Sequence, residues 1–586
     1  MYKIGAAKAD ITAFKLGVGM LGYGMYFNIV KGVETDLYSR AYVLEDDQTG
    51  RKVVFVNAEM AFVTIAIKRG VMKRLERKFP ELGFTEDNVF LSAQHTHSAP
   101  GGYSHYGLYN MSTPGFVPEV YQYIVDGIVD SIVRADANKQ NGSIRIGRSE
   151  FAIDKEVAFN RSIKAYNRNP EVKTAIAEEE SYAAVDRNMI MLYFESENGD
   201  PIGSVNWFGV HTTNISNDNT RICSDNKGYA ARYMEESMMK KGHPDFLAAF
   251  AQGPAGDITP NWIVDRKKKW TRGKFEDDFE SAKFNGRIQF DVAQDATDNA
   301  ATQKEIPSFI DYGLAFVDFR NVILDPEFAW DDKEARTGPA CHGVAFFSGT
   351  KEGPGMDPVV GALATTLTRG IKTAEIAKAK LSKPEIAKPI LDKYRIQGNK
   401  DILIEAGECK ILGTKDIKNL VIPNWADPAI HAFKKFHANG SLGNKPWTPQ
   451  ILPLHIAVIG NIALVGIPGE ITTIAGKRLQ KTVADVLGAR GVDHVLITSY
   501  CNAYCGYITT YQEYQAQCYE GGHTVFGEHT LGAFQTKFKQ LAIEMTKPFG
   551  ERKQLKDQLP TDFSDEELSK RSFNIKTQRR LIQIDD

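Results

Sequence analysis

The sequence contains no long hydrophobic run and no large excess of charge of either sign. None of its apolar segments reaches the roughly eighteen residues that a membrane-spanning helix needs. Its 586 residues carry 71 Lys and Arg against 73 Asp and Glu, and the net charge of −2 argues against nucleic acid as the main partner. Residues 1–12 lack the apolar core of a signal peptide. We therefore expect a protein that either stays inside the cell or, if its chain begins after processing, is secreted or periplasmic.

Cysteine is also scarce, with six residues in the whole chain, which is too few for a disulfide scaffold. Cys501, Cys505 and Cys518 lie close together in sequence, but their spacing matches no common zinc pattern. The sequence therefore predicts buried thiols here in preference to a thiolate metal site.

The chain alternates short apolar runs with helical patterns, which is typical of an α/β or mixed α+β architecture with more than one subdomain. Strand-like runs include 41–44, 53–56, 189–194, 456–459 and 463–467, and helical patterns include 64–78 and 118–135. Residues 262–305 are charged and irregular and predict a surface insertion, while the Lys-rich tract 372–400 predicts an exposed helix and loop. The segment 547–586 is too polar for a further domain and predicts a surface tail.

The most informative segment is NVFLSAQHTHSAPGGY, residues 88–103, in which an apolar run leads into His95 and His97. If the apolar part is a buried strand, the two imidazoles leave its carboxyl end on the same face, where ligand sites form in α/β proteins. Neutral imidazoles that converge in this way suit Zn²⁺ or another borderline metal. A hydrogen-bonded structural pair of histidines is the alternative.

Two further strand-like runs end at or near side chains of types that can bind metals. The segment 203–214, GSVNWFGVHTTN, ends near His211, and 463–470, ALVGIPGE, ends on Glu470. His211 is equally compatible with a buried structural histidine, and Glu470 with a cap of the helical pattern 471–480.

Two other segments supply hydroxyl groups. Residues 497–519 contain six tyrosines, of which most should be packing residues, although a phenol can bind Zn²⁺ or donate to an oxyanion. The loop 252–262, QGPAGDITPNW, carries Asp257 and Thr259. Asp257 suits a turn or a helix cap, and Thr259 would be a poor nucleophile without an adjacent base.

Taken together, these segments resemble the neutral (neutral/alkaline, non-lysosomal) ceramidases, which are zinc amidohydrolases that cleave ceramide to sphingosine and a fatty acid. The similarity runs from about residue 2 to about 545, so that it implies a catalytic domain over 1–546 followed by a polar tail. The matching motifs are IGAAKADIT, MLGYGM, LYSRAYVLED, LSAQHTHSAPGGY, NRSIKAYNRNP, NWFGVHTTN, SDNKGYAA, AGDITPN, VGIPGEITTIAGKRL and YITTYQEYQAQCYEGGHTVFGEHTL.

The resemblance implies a role for eight residues at one strand-end site. It places the zinc ligands at His95, His211, Glu470 and Tyr507, and the groups around the metal-bound water and the substrate amide at His97, Arg161 and Tyr519. Thr259 stands where the family has a serine, and its hydroxyl should serve adequately if it only forms a hydrogen bond. Ceramide or a related N-acyl lipid is the implied substrate, and peripheral contact with a membrane is compatible with it.

The resemblance also leaves differences and alternatives. Family members commonly carry an immunoglobulin-like domain after the catalytic domain, and this domain is expected to be absent or reduced to a tail here. A zinc amidase for another N-acyl lipid and a non-catalytic lipid-binding protein are the alternatives to a ceramidase. A two-metal phosphoesterase is disfavoured because the implied ligand set has a single carboxylate.

Overall fold

Two β-sheets packed face to face organise the protein, as seen in a computed structural model. It describes residues 1–572, apart from 111–112, 114, 331–333, 418–433, 435–436, 439, 441, 444 and 557. The twelve strands of the two sheets are β1 (Tyr2–Asp10), β2 (Tyr38–Asp46), β3 (Lys52–Ala58), β4 (Val89–Ala93), β5 (Gln140–Glu150), β6 (Asn188–Ser196), β7 (Pro201–Phe208), β8 (Leu247–Gln252), β9 (Ile310–Asp318), β10 (Ile451–Ile459), β11 (Ile462–Gly466) and β12 (His494–Thr498). The mixed α/β class predicted from the sequence is confirmed.

In the part of the chain that the structure describes, eight helices of fourteen residues or more surround the sheets. They are α1 (Ile65–Lys78), α2 (Pro118–Ala137), α3 (Asp225–Lys240), α4 (Asp278–Thr302), α5 (Pro358–Lys380), α6 (Pro384–Gln397), α7 (Thr473–Leu487) and α8 (Thr530–Thr546). Across the described part of the chain, no helix combines the length and the apolar character needed to cross a membrane.

The larger sheet has the order β8-β7-β6-β5-β1-β2-β3-β4, with parallel pairing only at its two ends, β3 with β4 and β7 with β8. It curls until its edges approach each other. The Asn57 amide on β3 donates to the Phe250 carbonyl on β8 at 3.2 Å, and the Gln252 amide donates to the Gln94 carbonyl at 2.9 Å. Side chains therefore join the two edges and bring the carboxyl ends of β4 and β7 together.

The smaller sheet has the order β9-β10-β11-β12 and packs against the concave core of the larger one. Phe55, Phe90, Trp207 and Leu464 are buried between the sheets. On β3, Val54 and Val56 point away from Phe55 and pack in the cluster that contains helices α1 and α2, as the two-residue period of a strand requires. The site described below lies where strands of both sheets end.

The expectation of an irregular surface insertion is wrong for residues 278–302, which form α4. Asp277 caps this helix by accepting hydrogen bonds from the amides of Phe279 and Glu280. Ala282, Phe290 and Ala293 form a buried face, which the many charged residues between them conceal in the sequence. The hairpin of strands Ile263–Asp265 and Trp270–Arg272 does lie at the surface, as predicted.

Other local predictions can be checked in the same way. The helical patterns at 64–78 and 118–135 are confirmed as α1 and α2, and the tract 372–400 lies in the exposed pair α5 and α6. Cys501 and Cys505 are buried free thiols.

After residue 547 the chain follows the surface, with Phe563 buried and the Arg571 guanidinium donating to the His105 carbonyl at 2.6 Å. The domain boundary at 546 stays a prediction, and residues 573–586 lie outside the described part.

Candidate metal and catalytic site

Two loops that follow different strands of the larger sheet bring His95 and His211 together. Thr96, after β4, and Thr212, after β7, form an isolated parallel bridge, and the Thr212 hydroxyl donates to the Gln94 carbonyl at 3.1 Å. His95 adopts the left-handed backbone conformation with φ of 76°. The His95 and His97 side chains therefore face one pocket through a loop turn, and not through the strand alternation that the sequence suggested.

The three imidazoles of His95, His97 and His211 form one buried group, with ligand atoms within 4.8 Å of one another. His95 Nδ1 lies 2.7 Å from the Ala61 carbonyl oxygen, and His211 Nδ1 lies 2.9 Å from the Ile258 carbonyl oxygen. Since a carbonyl oxygen only accepts, both Nδ1 atoms carry a proton, so that in the neutral form of each ring the lone pair lies on Nε2.

His97 differs from the other two histidines in the surroundings of its Nδ1 atom. Its Nε2 lies 2.9 Å from His95 Nε2, and its ring packs edge-on against Tyr23 with centroids 4.7 Å apart. Its Nδ1 is buried and has no hydrogen-bond partner among the residues that the structure describes. No carbonyl therefore fixes the tautomer of His97.

Burial favours the neutral form of His95 and His97. It lowers the pKa of His95 to about 4, and burial together with His95 and His211 lowers the pKa of His97 well below its ordinary value. Neutral imidazoles are the form that binds metals.

Glu470 supplies a carboxylate to the same group. Its Oε2 lies 3.0 Å from His211 Nε2 and 3.5 Å from His95 Nε2. The Tyr500 hydroxyl donates to Oε2 at 3.1 Å, and the Tyr504 hydroxyl donates to Oε1. Burial alone would raise the pKa of Glu470, but the neighbouring imidazoles and the Tyr504 hydroxyl hold it well below its ordinary value.

Glu470 does not cap the helix that follows it. The backbone amide of Thr473, at the start of α7, instead donates to Asp257 Oδ1 at 2.8 Å. Asp257 is thus the capping residue, from a different part of the chain.

Tyr507 lies beside Glu470 because the two residues are register partners in a short parallel ladder, Glu470–Ile471 with Tyr507–Ile508. The Tyr507 hydroxyl is 3.4 Å from His211 Nε2. Arg161 Nη2 donates to the Tyr507 oxygen at 2.9 Å. The phenol oxygen thus lies between an imidazole and a guanidinium.

Besides Tyr507, three groups from distant parts of the chain hold Arg161. Its Nε donates to Glu520 at 2.9 Å, Nη1 donates to Glu352 at 2.8 Å, and Nη2 also donates to the Gly256 carbonyl at 3.0 Å. With the bond to Tyr507, these contacts use four of its five N–H groups. Among the residues that the structure describes, one N–H on Nη1 has no partner.

Tyr519 and Thr259 lie at the edge of the group. The Tyr519 ring packs edge-on against Tyr507 with centroids 5.5 Å apart, and its side chain is only partly buried. The Thr259 hydroxyl accepts a hydrogen bond from the backbone amide of Asn261 at 2.9 Å. Within the described chain it hydrogen-bonds to none of the three histidines, and it adjoins Ile258, whose carbonyl orients His211.

The structure also reveals site residues that sequence reasoning missed. Tyr500 and Tyr504 were among the tyrosines expected to pack in the core, yet they orient Glu470. Glu520 directly follows Tyr519, which is a weak indication, whereas nothing in the sequence around Glu352 indicates its contact with Arg161.

The donor set fits a zinc ion. Two imidazole Nε2 atoms with free lone pairs, a carboxylate oxygen and a phenol oxygen converge, and nitrogen and oxygen donors of these types are those that Zn²⁺ binds. Backbone carbonyls behind both imidazoles are the usual second-layer partners of metal-binding histidines.

Comparison with known proteins identifies the family to which the chain is similar. Residues 2–536 match the family model described as neutral/alkaline non-lysosomal ceramidase, N-terminal. A neutral ceramidase of Pseudomonas aeruginosa is 34% identical over 552 residues, covering 93% of this chain and 72% of that protein. The neutral ceramidase of Mycobacterium tuberculosis is 31% identical over 558 residues, covering 93% and 77%.

Solved structures show the same similarity. The crystal structure of the Pseudomonas aeruginosa neutral ceramidase has a TM-score of 0.73 and 32% identity, covering 93% of this chain and 74% of that chain. A ceramidase described as complexed with C2 has a TM-score of 0.75 and 32% identity, covering 96% and 78%. The chain therefore belongs to the neutral/alkaline non-lysosomal ceramidase family.

Proposed function

We propose that the protein is a zinc-dependent amidohydrolase that cleaves the N-acyl amide bond of ceramide, releasing a long-chain base and a fatty acid. The observation that carries this proposal is the convergence of the Glu470 carboxylate on the Nε2 atoms of His95 and His211 in a neutral ceramidase fold. The names of the relatives support ceramide as the substrate.

We assign the zinc ligands to His95, His211, Glu470 and Tyr507. Zinc bound there would lower the pKa of a coordinated water to about 7 and polarise the amide carbonyl. Burial and Glu470 raise the pKa of Tyr507 well above its ordinary value, and Arg161 opposes this rise, because a guanidinium that donates to a phenol oxygen favours a negatively charged oxygen. Arg161 therefore supports the assignment of Tyr507.

His97 is assigned as the proton-transfer group. Its Nδ1 lacks the backbone carbonyl that fixes the tautomers of His95 and His211, so that its ring nitrogens can take up and release a proton. It would accept a proton from the attacking water and return it to the nitrogen of the leaving amine. Its neutral state, imposed by burial, is the state a general base requires.

Arg161 and Tyr519 are assigned to the substrate amide, with unequal shares. Arg161 keeps a single N–H group free, so that its main role is to hold the Tyr507 oxygen. Tyr519, which is partly exposed as a residue, is the better donor to a developing oxyanion. Thr259 needs only to accept a hydrogen bond, which the extra methyl group of threonine permits.

The proposal is tested by incubating the wild type, His95→Ala and the control variant His243→Ala, at a partly exposed histidine outside the site, with a panel of ceramides and N-acyl amino acids. We expect the wild type and His243→Ala to release fatty acid from ceramides and His95→Ala to release none. Preferential turnover of N-acyl amino acids would contradict the substrate assignment. Lipid binding by the wild type without any release of fatty acid would show a non-catalytic lipid-binding protein.

A further inference from the structure

Helix α5 exposes large apolar side chains on one face, while its fully buried residues are small. The buried face consists of the small residues Gly361, Thr368 and Ala379. The opposite face exposes Val359 at 68%, Leu363 at 66% and Leu367 at 49%. A surface helix of a globular protein normally shows the reverse distribution.

The exposed residues form one continuous uncharged stripe. At 100° per residue, Val359, Leu363, Thr366, Leu367, Gly370, Ala374, Ala377 and Leu381 fall within about 100° of the helix circumference. The stripe is therefore about 33 Å long at 1.5 Å per residue. Leu381, at its end, is 90% exposed. We call these eight residues the α5 stripe.

Basic side chains surround the end of the α5 stripe. Lys378, Lys380 and Lys383 flank Leu381, and the structure pairs none of them with a carboxylate among the residues it describes. Exposed aliphatic side chains bordered by unpaired lysines are typical of helices that lie in the interface of an anionic membrane.

Helix α5 also adjoins the catalytic site. Glu352, which binds Arg161, lies five residues before Asp357, the N-cap of α5. Just before this segment, Phe346 packs against Tyr519 with ring centroids 5.3 Å apart. The start of α5 is therefore joined to the catalytic site by a short segment of chain.

We propose that the α5 stripe docks the protein on the surface of a lipid bilayer that carries anionic headgroups. This inference rests on the proposed function, because a ceramide with two alkyl chains resides in a bilayer and must be reached from its surface. The apolar stripe would enter the boundary between headgroups and acyl chains while the lysines remain at headgroup level. Two further exposed aromatic residues, Tyr26 and Phe27, lie close in sequence to Tyr23, whose ring packs against His97.

The test compares the wild type, a stripe variant and a control variant on vesicles of equal parts phosphatidylcholine and phosphatidylserine. The stripe variant carries Val359→Ser, Leu363→Ser and Leu367→Ser. The control carries Val264→Ser and Ile323→Ser, which are 66% and 72% exposed but lie elsewhere. Each protein is assayed for vesicle binding by flotation, for hydrolysis of long-chain ceramide in the vesicles, and for hydrolysis of a short-chain ceramide in solution.

We expect the stripe variant to lose at least about tenfold in vesicle affinity and a similar factor in hydrolysis of vesicle ceramide. Its hydrolysis of the short-chain ceramide should stay within about twofold of the wild type, since the stripe does not touch the site. The control should behave as the wild type. A second variant carries Lys378→Gln, Lys380→Gln and Lys383→Gln. Its affinity for these vesicles should be more than about tenfold lower than that of the wild type, and its affinity for vesicles of phosphatidylcholine alone should be unchanged.

Equal vesicle binding by the wild type and the stripe variant would overturn the docking proposal. So would a wild type that hydrolyses short-chain ceramide but does not bind vesicles. A change from dimer to monomer in the stripe variant, measured by sedimentation with vesicle binding unaltered, would assign the stripe to a contact between copies. A wild type that binds vesicles through the stripe but hydrolyses neither ceramide would support docking and contradict the proposed function.

Discussion

Glu470 and Tyr507 are direct partners in a two-stranded parallel ladder, so that backbone hydrogen bonds fix a carboxylate and a phenol side by side. The Glu470 carboxylate reaches His95 and His211, and the Tyr507 hydroxyl lies 3.4 Å from His211 Nε2. Short ladders of this kind hold ligands from different loops at a fixed separation. The position of Tyr507 is therefore set by the backbone, and its contribution can be tested at the phenol oxygen alone.

Removing that oxygen should weaken both the metal site and the reaction. We expect Tyr507→Phe to lower kcat/KM for ceramide by at least about 10², because losing even an outer partner of a metal site costs about 10- to 100-fold. Zinc affinity measured by competition with a chelator should fall in parallel. Tyr123→Phe, at an exposed tyrosine, is the control. Unchanged zinc affinity in Tyr507→Phe would show that the phenol is not a ligand.

Arg161 should act through Tyr507. Lysine keeps the positive charge but cannot donate simultaneously to Glu520, Glu352 and Tyr507 with the planar geometry of a guanidinium. We expect Arg161→Lys to lower kcat by about 10- to 100-fold and to weaken zinc binding, with little change in KM. A variant that raises KM alone, at normal zinc affinity, would place Arg161 in substrate binding instead.

His95 and His97, two residues apart, should respond differently to the same substitution. His97→Ala should retain zinc and lose about 10² to 10⁴ in kcat, as expected for a general base. His95→Ala should lose zinc as well as activity. Zinc content and ceramide hydrolysis are measured on the same samples. Equal loss of zinc from both variants would make His97 a ligand.

The sequence indicated this site unevenly. His95, His211 and Glu470 follow apolar runs, so that the strand-end argument finds them without any knowledge of the sheet order. Tyr507 could be chosen only through family resemblance, since the six tyrosines of 497–519 look alike in the sequence. The residues that orient Glu470 and Arg161 were missed, because Tyr500, Tyr504 and Glu352 acquire these roles through contacts between distant segments.

The fold shows a similar division. Helices α1 and α2 and most strands follow from local periodicity, but α4 was missed because charged residues conceal its buried face. The curl of the larger sheet was not predictable, since it depends on side-chain bonds between β3 and β8, which lie about two hundred residues apart in the chain.

A buried lysine outside the site should make folding stability depend on pH. Lys227 on α3 donates to the carbonyls of Phe208 and Ala251, and burial lowers the pKa of Lys227 to about 7. The unfolded chain therefore binds more protons than the folded chain between about pH 7 and pH 10.5. By linkage, this group makes the free energy of unfolding rise with pH across that range. Below pH 7 the folded protein bears the full cost of burying the charged ammonium group.

Replacing Lys227 removes this dependence. The free energy of unfolding of Lys227→Met minus that of the wild type should fall by about 3 kcal/mol from pH 7 to pH 10, as measured by denaturant titration. Lys240→Met, at an exposed position on the same helix, should show no such trend. A pH-independent difference for Lys227→Met would mean that Lys227 stays charged in the folded protein.

The most direct test of the central claim is to measure ceramide hydrolysis together with metal content while the metal is removed and restored. The assigned ligand set predicts about one zinc per chain in the active protein. We expect fatty acid release to fall to background as a chelator removes the metal and to recover in proportion to the zinc returned, with no recovery in His95→Ala. Full ceramide hydrolysis by metal-free protein would contradict the account.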